Sequence, residues 1–234
     1  MTTAHAPRAA AVGQSARDVL KIWGRITSIN VRKVVWCAQE LGLAFRRDDA
    51  GGTFGIVQTP AYKELNPNGL VPTIEDDVGA ASGQRFVLWE SNVVVRYLCA
   101  RHSPGGFYAE ALHERFDAER WMDWQQTTLN PAGRDAFIQW VRTPAERRDA
   151  NAAARSVQAT EPLFAMLDAH LATRAFMCGD AFTMADIPIG CELHRWFGLP
   201  ADRYARPAWP HLQRYFAALR DRPAAQGVLD LPVA

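Results

Sequence analysis

At 234 residues the chain is long enough for one large domain or two small ones, each with a buried core. Apolar side chains make up 48% of it and charged ones 22%, a balance that excludes a disordered or fibrous chain. With 26 basic and 25 acidic side chains the formal charge is +1, so no bulk field draws in nucleic acid or an anionic membrane; an anionic ligand needs a local site.

Residues 1–18 are small and polar and read as a disordered tail. Val19–Trp23 is a predicted strand, stopped by Gly24. From Asn30 to Leu43, residues Val31, Val34, Val35, Ala38 and Leu41 recur at helical spacing. Arg32, Lys33, Gln39 and Glu40 are predicted to face away from that stripe, and Gly42 lies near the C-cap. A short strand is predicted at Leu43–Phe45. A polar stretch, Asp48–Thr59, then leads to a short helix at Ala61–Leu65. The turn signal Asn66-Pro67-Asn68-Gly69 precedes two strand candidates, Leu70–Ile74 and Phe86–Trp89. Pro72 puts the first of these at a sheet edge, or marks a turn where its missing N–H is not needed. Val93-Val94-Val95 favours a strand, but Ser91–His102 is predicted as a helix with Ser91 its N-cap, because Val94, Tyr97 and Leu98 share one face.

Residues 103–109 form the best linker in the chain, and beyond it the strand signals stop. Helices are predicted at Glu110–Leu129, at Pro162–Arg174 with Leu163, Met166, Leu167 and Leu171 on one stripe, and at Pro210–Arg220. Thr183-Met184-Ala185-Asp186 is a capping-box variant, and Pro188 is expected to kink the helix that follows. No apolar run reaches the ~20 residues of a membrane helix. Cys37, Cys99, Cys178 and Cys191 form no CxxC and no zinc spacing, and the six histidines show no ligand spacing. We therefore expect a reduced, cytoplasmic protein without a metal.

Three junctions carry candidate chemistry. Gly24–Asn30 joins the first strand to the first helix and offers an anion the N–H groups of a helix start; read alone, Ser28 or Asn30 is simply a cap. At Val71-Pro72 a cis bond would turn the Val71 N–H and C=O out of the sheet toward a peptide-like ligand, although most such prolines only end strands. At Glu90-Ser91 an acid and a hydroxyl meet another helix start and suit a group with both ammonium and carboxylate; a solvated Glu beside a Ser cap is the plainer reading.

Together, in order and spacing, these signals resemble one family. Lys21-Ile22-Trp23-Gly24 with Ser28, Asn66 to Pro72, Glu90-Ser91 with Arg96-Tyr97-Leu98, and Phe182 to Asp186 are similar to cytosolic glutathione transferases, of the bacterial Ser/Asn type related to the theta, phi and nu classes. The resemblance covers about Val19 to Leu229. It implies an α/β thioredoxin-like N-terminal domain over residues 19–102, an all-α C-terminal domain over 110–234, a homodimer, and glutathione as co-substrate. Ser28 matches the serine that holds the glutathione thiolate, and Asn30 is its rival as catalytic residue and a further glutathione contact. Val71 and Pro72 match the residues along the cysteinyl backbone; Glu90 and Ser91 match the pair at the γ-glutamyl end. Thr183 and Asp186 match a folding motif.

Leu70 departs from the Lys, Arg or Gln of many relatives, so a contact to the tripeptide's carboxylates is missing there or comes from the Asp48–Thr59 loop. The electrophile pocket is expected beside the helix carrying Trp121, Trp124 and Gln125, whose aromatic face is equally well explained as interdomain core. The implied activity is conjugation of the glutathione thiolate to small hydrophobic electrophiles. Two alternatives stay open: glutathione-dependent reduction of disulfides or peroxides through Asn30, and a non-catalytic binding protein of the same fold.

Overall fold

The computed structural model describes residues 19–78 and 85–234. The tail expected over residues 1–18 lies outside them. Strand β1 (Leu20–Trp23) alternates, burying Leu20 and Ile22 and leaving Lys21 and Trp23 half-buried. Helix α1 (Ile29–Glu40) returns the chain to β2 (Phe45–Asp48), which pairs in parallel with β1 from Leu20 opposite Phe45 to Trp23 opposite Asp48. Helix α2 (Pro60–Leu65) leads to β3 (Thr73–Asp77), antiparallel to β1, and β4 (Arg85–Trp89) pairs antiparallel with β3. The sheet order is β2-β1-β3-β4, so β3 is a central strand. Its run begins at Thr73 rather than Leu70, and Pro72 sits just ahead of it, where the ladder needs no N–H.

The C-terminus of α1 closes as sequence predicts. Gly42, at φ +64°, lets its N–H reach the Gln39 carbonyl at 3.0 Å and that of Leu43 reach Ala38 at 2.9 Å, a Schellman turn. The outward face of α1 is a correction. Arg32 and Lys33, expected in solvent, are 3% and 0% exposed. The helical domain packs on that face: Arg32 donates to the carbonyls of Val228 and Pro232, and Lys33 Nζ donates to Gln125 Oε1 at 2.8 Å and Gln126 Oε1 at 3.1 Å. Helix α3 spans Ser91–His102 as expected, but its N-cap is Glu90 rather than Ser91: Glu90 sits at φ +71° and its carbonyl accepts from Val94 N–H at 2.9 Å.

Helix α4 (Leu112–Trp124) does not end at Leu129. It continues through a π turn (Gln125–Leu129), α5 (Asn130–Phe137) and a second π turn (Ile138–Arg142). The wider turn absorbs Pro131, the residue that would otherwise stop a helix there. Helix α6 (Ala150–Leu171) begins three turns before the predicted Pro162, at an Asp149 cap whose carboxylate accepts from Ala152 N–H at 2.9 Å. Its buried stripe is Ala153, Ser156, Thr160, Phe164, Leu167 and Leu171, so Leu163 is only half-buried and Met166 is exposed. Helix α7 (Asp186–Phe197) carries Pro188 as its third residue, inside the first turn where no intrahelical N–H is required, and the helix runs uninterrupted to Phe197. Asp186 accepts from the N–H groups of Met177 (2.8 Å) and Thr183 (2.7 Å) and from Tyr215 Oη (2.7 Å), tying α7 to α8 (Pro210–Arg220). Helix α7 lies against α1 at Gly190, where a Cβ would come within 2.8 Å of both Trp36 and Leu219. One apolar core therefore runs from the sheet through α1 into the helical domain. The fold is that of a thioredoxin-like domain followed by an all-helical one.

Candidate functional site

Ser28 has extended backbone angles (φ −81°, ψ 125°) and its carbonyl accepts from Arg32 N–H at 3.0 Å, which starts α1. Its hydroxyl makes no capping bond. Among the described residues it has no other hydrogen-bond partner, so an unengaged O–H stands at the positive end of a 12-residue helix. Asn30, one residue into that helix, holds its amide Oδ1 buried without a donor, an arrangement costly unless something fills it.

The second strip of the site is Val71. The Val71–Pro72 bond is cis, and among the described residues nothing pairs with the Val71 N–H or C=O. The strip is held from behind: Tyr62 Oη and Asn66 Nδ2 both donate to the Leu70 carbonyl, at 2.7 and 3.0 Å, and Asn66 Oδ1 accepts from Asn68 N–H at 3.1 Å. Sequence reading assigned Asn66 to a turn and Tyr62 to a helix; their convergence on Leu70 is tertiary.

At the third strip, Glu90 is exposed in a left-handed conformation that non-glycine residues rarely adopt, and Ser91 is 4% exposed. Neither the Glu90 carboxylate nor the Ser91 hydroxyl forms a hydrogen bond or ion pair among the described residues. Backbone strain of this kind gathers at ligand sites.

A cavity of about 390 Å³ opens where the Ser28 and Val71 corners meet the helical domain; Pro72, Glu90 and Ser91 lie outside its lining. Thr27, Ser28, Asn30 and Val71 line one wall. The other is Gln126, Asn130, Arg134, Ile138 and Arg142, four residues apart on one face of the continuous helix, with His194 and Arg195 from α7. The expected aromatic wall is elsewhere. Trp121 packs on Trp124 (ring centroids 5.6 Å apart) and His170 (4.6 Å), and neither tryptophan reaches the cavity. Gln125 is fully buried behind it, accepting from Lys33 and donating to Glu192 Oε2 at 2.8 Å. Sequence reading missed Arg134 and Arg142 because it stopped the helix before Pro131; the four-residue spacing was the available signal.

Charge in the cavity follows from burial. Arg195 is paired with Glu192, and burial lowers Lys33 to about 8 against the pull of Glu192. Burial and then the neighbouring Arg32 bring His194 down to about 4, so it is neutral at pH 7. Burial also pushes the cavity's own thiol, Cys191, up to about 12. A thiolate nucleophile at neutral pH must therefore arrive with a ligand.

The N-terminal part, residues 27–101, matches the family model "Glutathione S-transferase, N-terminal domain", and residues 150–218 match "Glutathione S-transferase, C-terminal domain". Glutathione S-transferase GstB of Escherichia coli (strain K12) is 38% identical over 216 residues, covering 92% of this chain and 100% of that one. The chain belongs to the cytosolic glutathione transferase family. Among solved structures, the theta class enzyme of Xanthomonas axonopodis pv. citri with glutathione bound is 43% identical, with a TM-score of 0.85 over 93% of this chain and 100% of that one. A glutathione transferase of Burkholderia graminis, which holds two glutathione molecules per subunit, is 25% identical with a TM-score of 0.81 over 92% of this chain and 89% of that one. In the transferase, no group of three His, Cys, Asp or Glu among the described residues is placed to hold a metal. No described helix is long and apolar enough to cross a membrane.

Proposed function

We propose that this transferase conjugates the thiolate of glutathione to a small electrophile, with the sulfur at the start of α1 and Ser28 donating a hydrogen bond to it. The free Ser28 hydroxyl, facing the same cavity as the unpaired Val71 backbone, carries this reading. The Val71 N–H and C=O pair with the cysteinyl backbone, and Glu90 and Ser91 take the ammonium and carboxylate of the γ-glutamyl end.

A serine hydroxyl is too weak a base to deprotonate a thiol at pH 7, so Ser28 stabilises the anion after the proton has left for water. Lowering a thiol pKa from about 8.5 to about 6.5 is worth roughly 2.7 kcal/mol and raises the thiolate fraction at pH 7 from ~3% to ~75%. With a Brønsted slope near 0.45, lower basicity returns about 8-fold of that 25-fold gain. Most of the acceleration therefore comes from holding the electrophile against the sulfur, in the cavity between the domains.

Ser28→Ala is expected to lower kcat/KM at pH 6.5 by up to about 6-fold, a roughly 50-fold loss of thiolate partly offset by an ~8-fold gain in nucleophilicity, and to raise the kinetic pKa of bound glutathione. An unchanged pH profile refutes the role given to Ser28. The unpartnered Asn30 Oδ1 favours a second reading, reduction of disulfides or peroxides by glutathione. With its amide turned over, Asn30 offers an N–H to sulfur; Asn30→Ala would then harm activity more than Ser28→Ala. The enzyme is read as a cytoplasmic homodimer. Reduced glutathione is the cytosolic thiol buffer. Exposed Val93 on α3 and Leu112 and Phe116 on α4 supply an apolar face for the second subunit.

A further inference from the structure

Four guanidinium groups line the cavity without an Asp or Glu counter-ion among the described residues, and one of them, Arg32, is taken up by main-chain carbonyls. The other three, Arg25, Arg134 and Arg142, have no Asp or Glu carboxylate within ion-pair distance among the described residues, whereas Arg195, beside them, is neutralised by Glu192. Arg142 makes one hydrogen bond among the described residues, to the main-chain oxygen of Ala234, the last residue of the sequence, at 2.9 Å, and lies 4.5 Å from the Phe137 ring centroid. Burial lowers its pKa, and Arg25, Arg195 and Arg134 add to the effect by repulsion. In a chain of net charge +1 this concentration of positive charge is local. Like charges gathered on one small void destabilise it unless an anion occupies the space between them.

Resting on the transferase reading, we propose that the second substrate is an anion: a small electrophile carrying a carboxylate, held by Arg134 and Arg142. Both arginines stand on the helical wall, opposite the Ser28 corner where the sulfur would lie, and they are two turns apart on one helix face. A planar fork of N–H donors matches a carboxylate, and fixing that group directs the neighbouring carbon at the thiolate. In the reaction the sulfur lone pair forms a C–S bond as the carbon–halogen bond breaks. The halide leaves with the bonding pair, the thiol proton having already gone to water.

Chloroacetate and chloroacetamide test this, since they share shape and leaving group and differ in charge. Each is assayed with saturating glutathione and normalised to its uncatalysed rate. Wild type is expected to favour chloroacetate. Arg134→Gln and Arg142→Gln are each expected to lose about 10- to 100-fold in kcat/KM for chloroacetate, with chloroacetamide and the glutathione KM changing by less than about 3-fold. Arg→Lys at either position, which keeps the charge, should retain part of the preference. A parallel loss with both electrophiles overturns the proposal, and so does a rise in glutathione KM, which would assign the arginines to the tripeptide. Better turnover of the apolar 1-chloro-2,4-dinitrobenzene, indifferent to both arginines, also overturns it. If no electrophile is turned over, the transferase reading falls and this proposal with it.

Discussion

Ser28 and Asn30 lie two residues apart, and what separates them is where each side chain points relative to the helix start. Ser28 is outside the helix and keeps its hydroxyl free; Asn30 is inside the first turn with a buried, unpartnered oxygen. Glu90 carries a left-handed backbone angle at the far end of the same site, a cost of roughly 1–3 kcal/mol that the surrounding strand and helix sustain. His194 shows how burial at the cavity reaches stability. Its folded pKa of about 4 lies below the ordinary value near 6.5, so between those values the unfolded chain binds a proton that the native state does not. Its contribution thus weakens stability as pH falls from 6.5 toward 4. Asp186 acts oppositely, because burial raises its carboxyl to about 6 and its contribution is lost as pH rises through that value. Urea melts of His194→Gln and wild type should therefore diverge on acidification. The variant is expected to gain up to about 1 kcal/mol per pH unit relative to wild type between pH 6.5 and 4; a constant difference contradicts the assignment.

At the level of elements, α1 is the piece that joins sheet, site and helical domain. Residues Val31 to Ala38 are buried on every face, which an amphipathic pattern does not announce. Two charged residues enter that interior because partners meet them: Lys33 is fully buried against Gln125 and Gln126, and Gln125 continues to Glu192 and Arg195. The contact of α1 with α7 depends on Gly190. Gly190→Ala is expected to cost about 1–3 kcal/mol by forcing Trp36 and Leu219 apart, lowering the thermal midpoint. An unaltered midpoint would show that the helices re-pack freely. The continuous α4–α5 segment positions the cavity wall, and its π turns set the phase in which Gln126, Asn130, Arg134, Ile138 and Arg142 share a face.

For the molecule as a whole, the site exists only where the two domains close on each other. Activity and assembly are separable readouts, because the apolar surface of α3 and α4 is distinct from the cavity lining. Phe116, 60% exposed on α4, is a direct probe: Phe116→Asp is expected to convert a dimer to a monomer in sedimentation, with the fold retained by circular dichroism. A monomeric wild type, or a variant that stays dimeric, rejects this face as the interface.

Local chemistry was readable from the chain itself. Gly24 and Gly42 punctuate β1 and α1, Asn66 to Gly69 make the turn before β3, and Asp186 reaches back to the Thr183 N–H at the start of α7, since each acts through atoms only a few residues away; the Thr183 hydroxyl accepts from Ala185 rather than three residues on. The stripe Val31, Val34, Val35 and Ala38 likewise located the inner face of α1. What lies across space was not readable. The burial of Arg32 and Lys33, the displacement of Trp121 and Trp124 from the cavity, and the meeting of Arg25 with Arg134 and Arg142 all depend on how the helical domain seats against α1. A single chain's periodicity reports which face of a helix is apolar. It carries no record of a second surface that buries the opposite face with polar partners, and that second surface built the cavity.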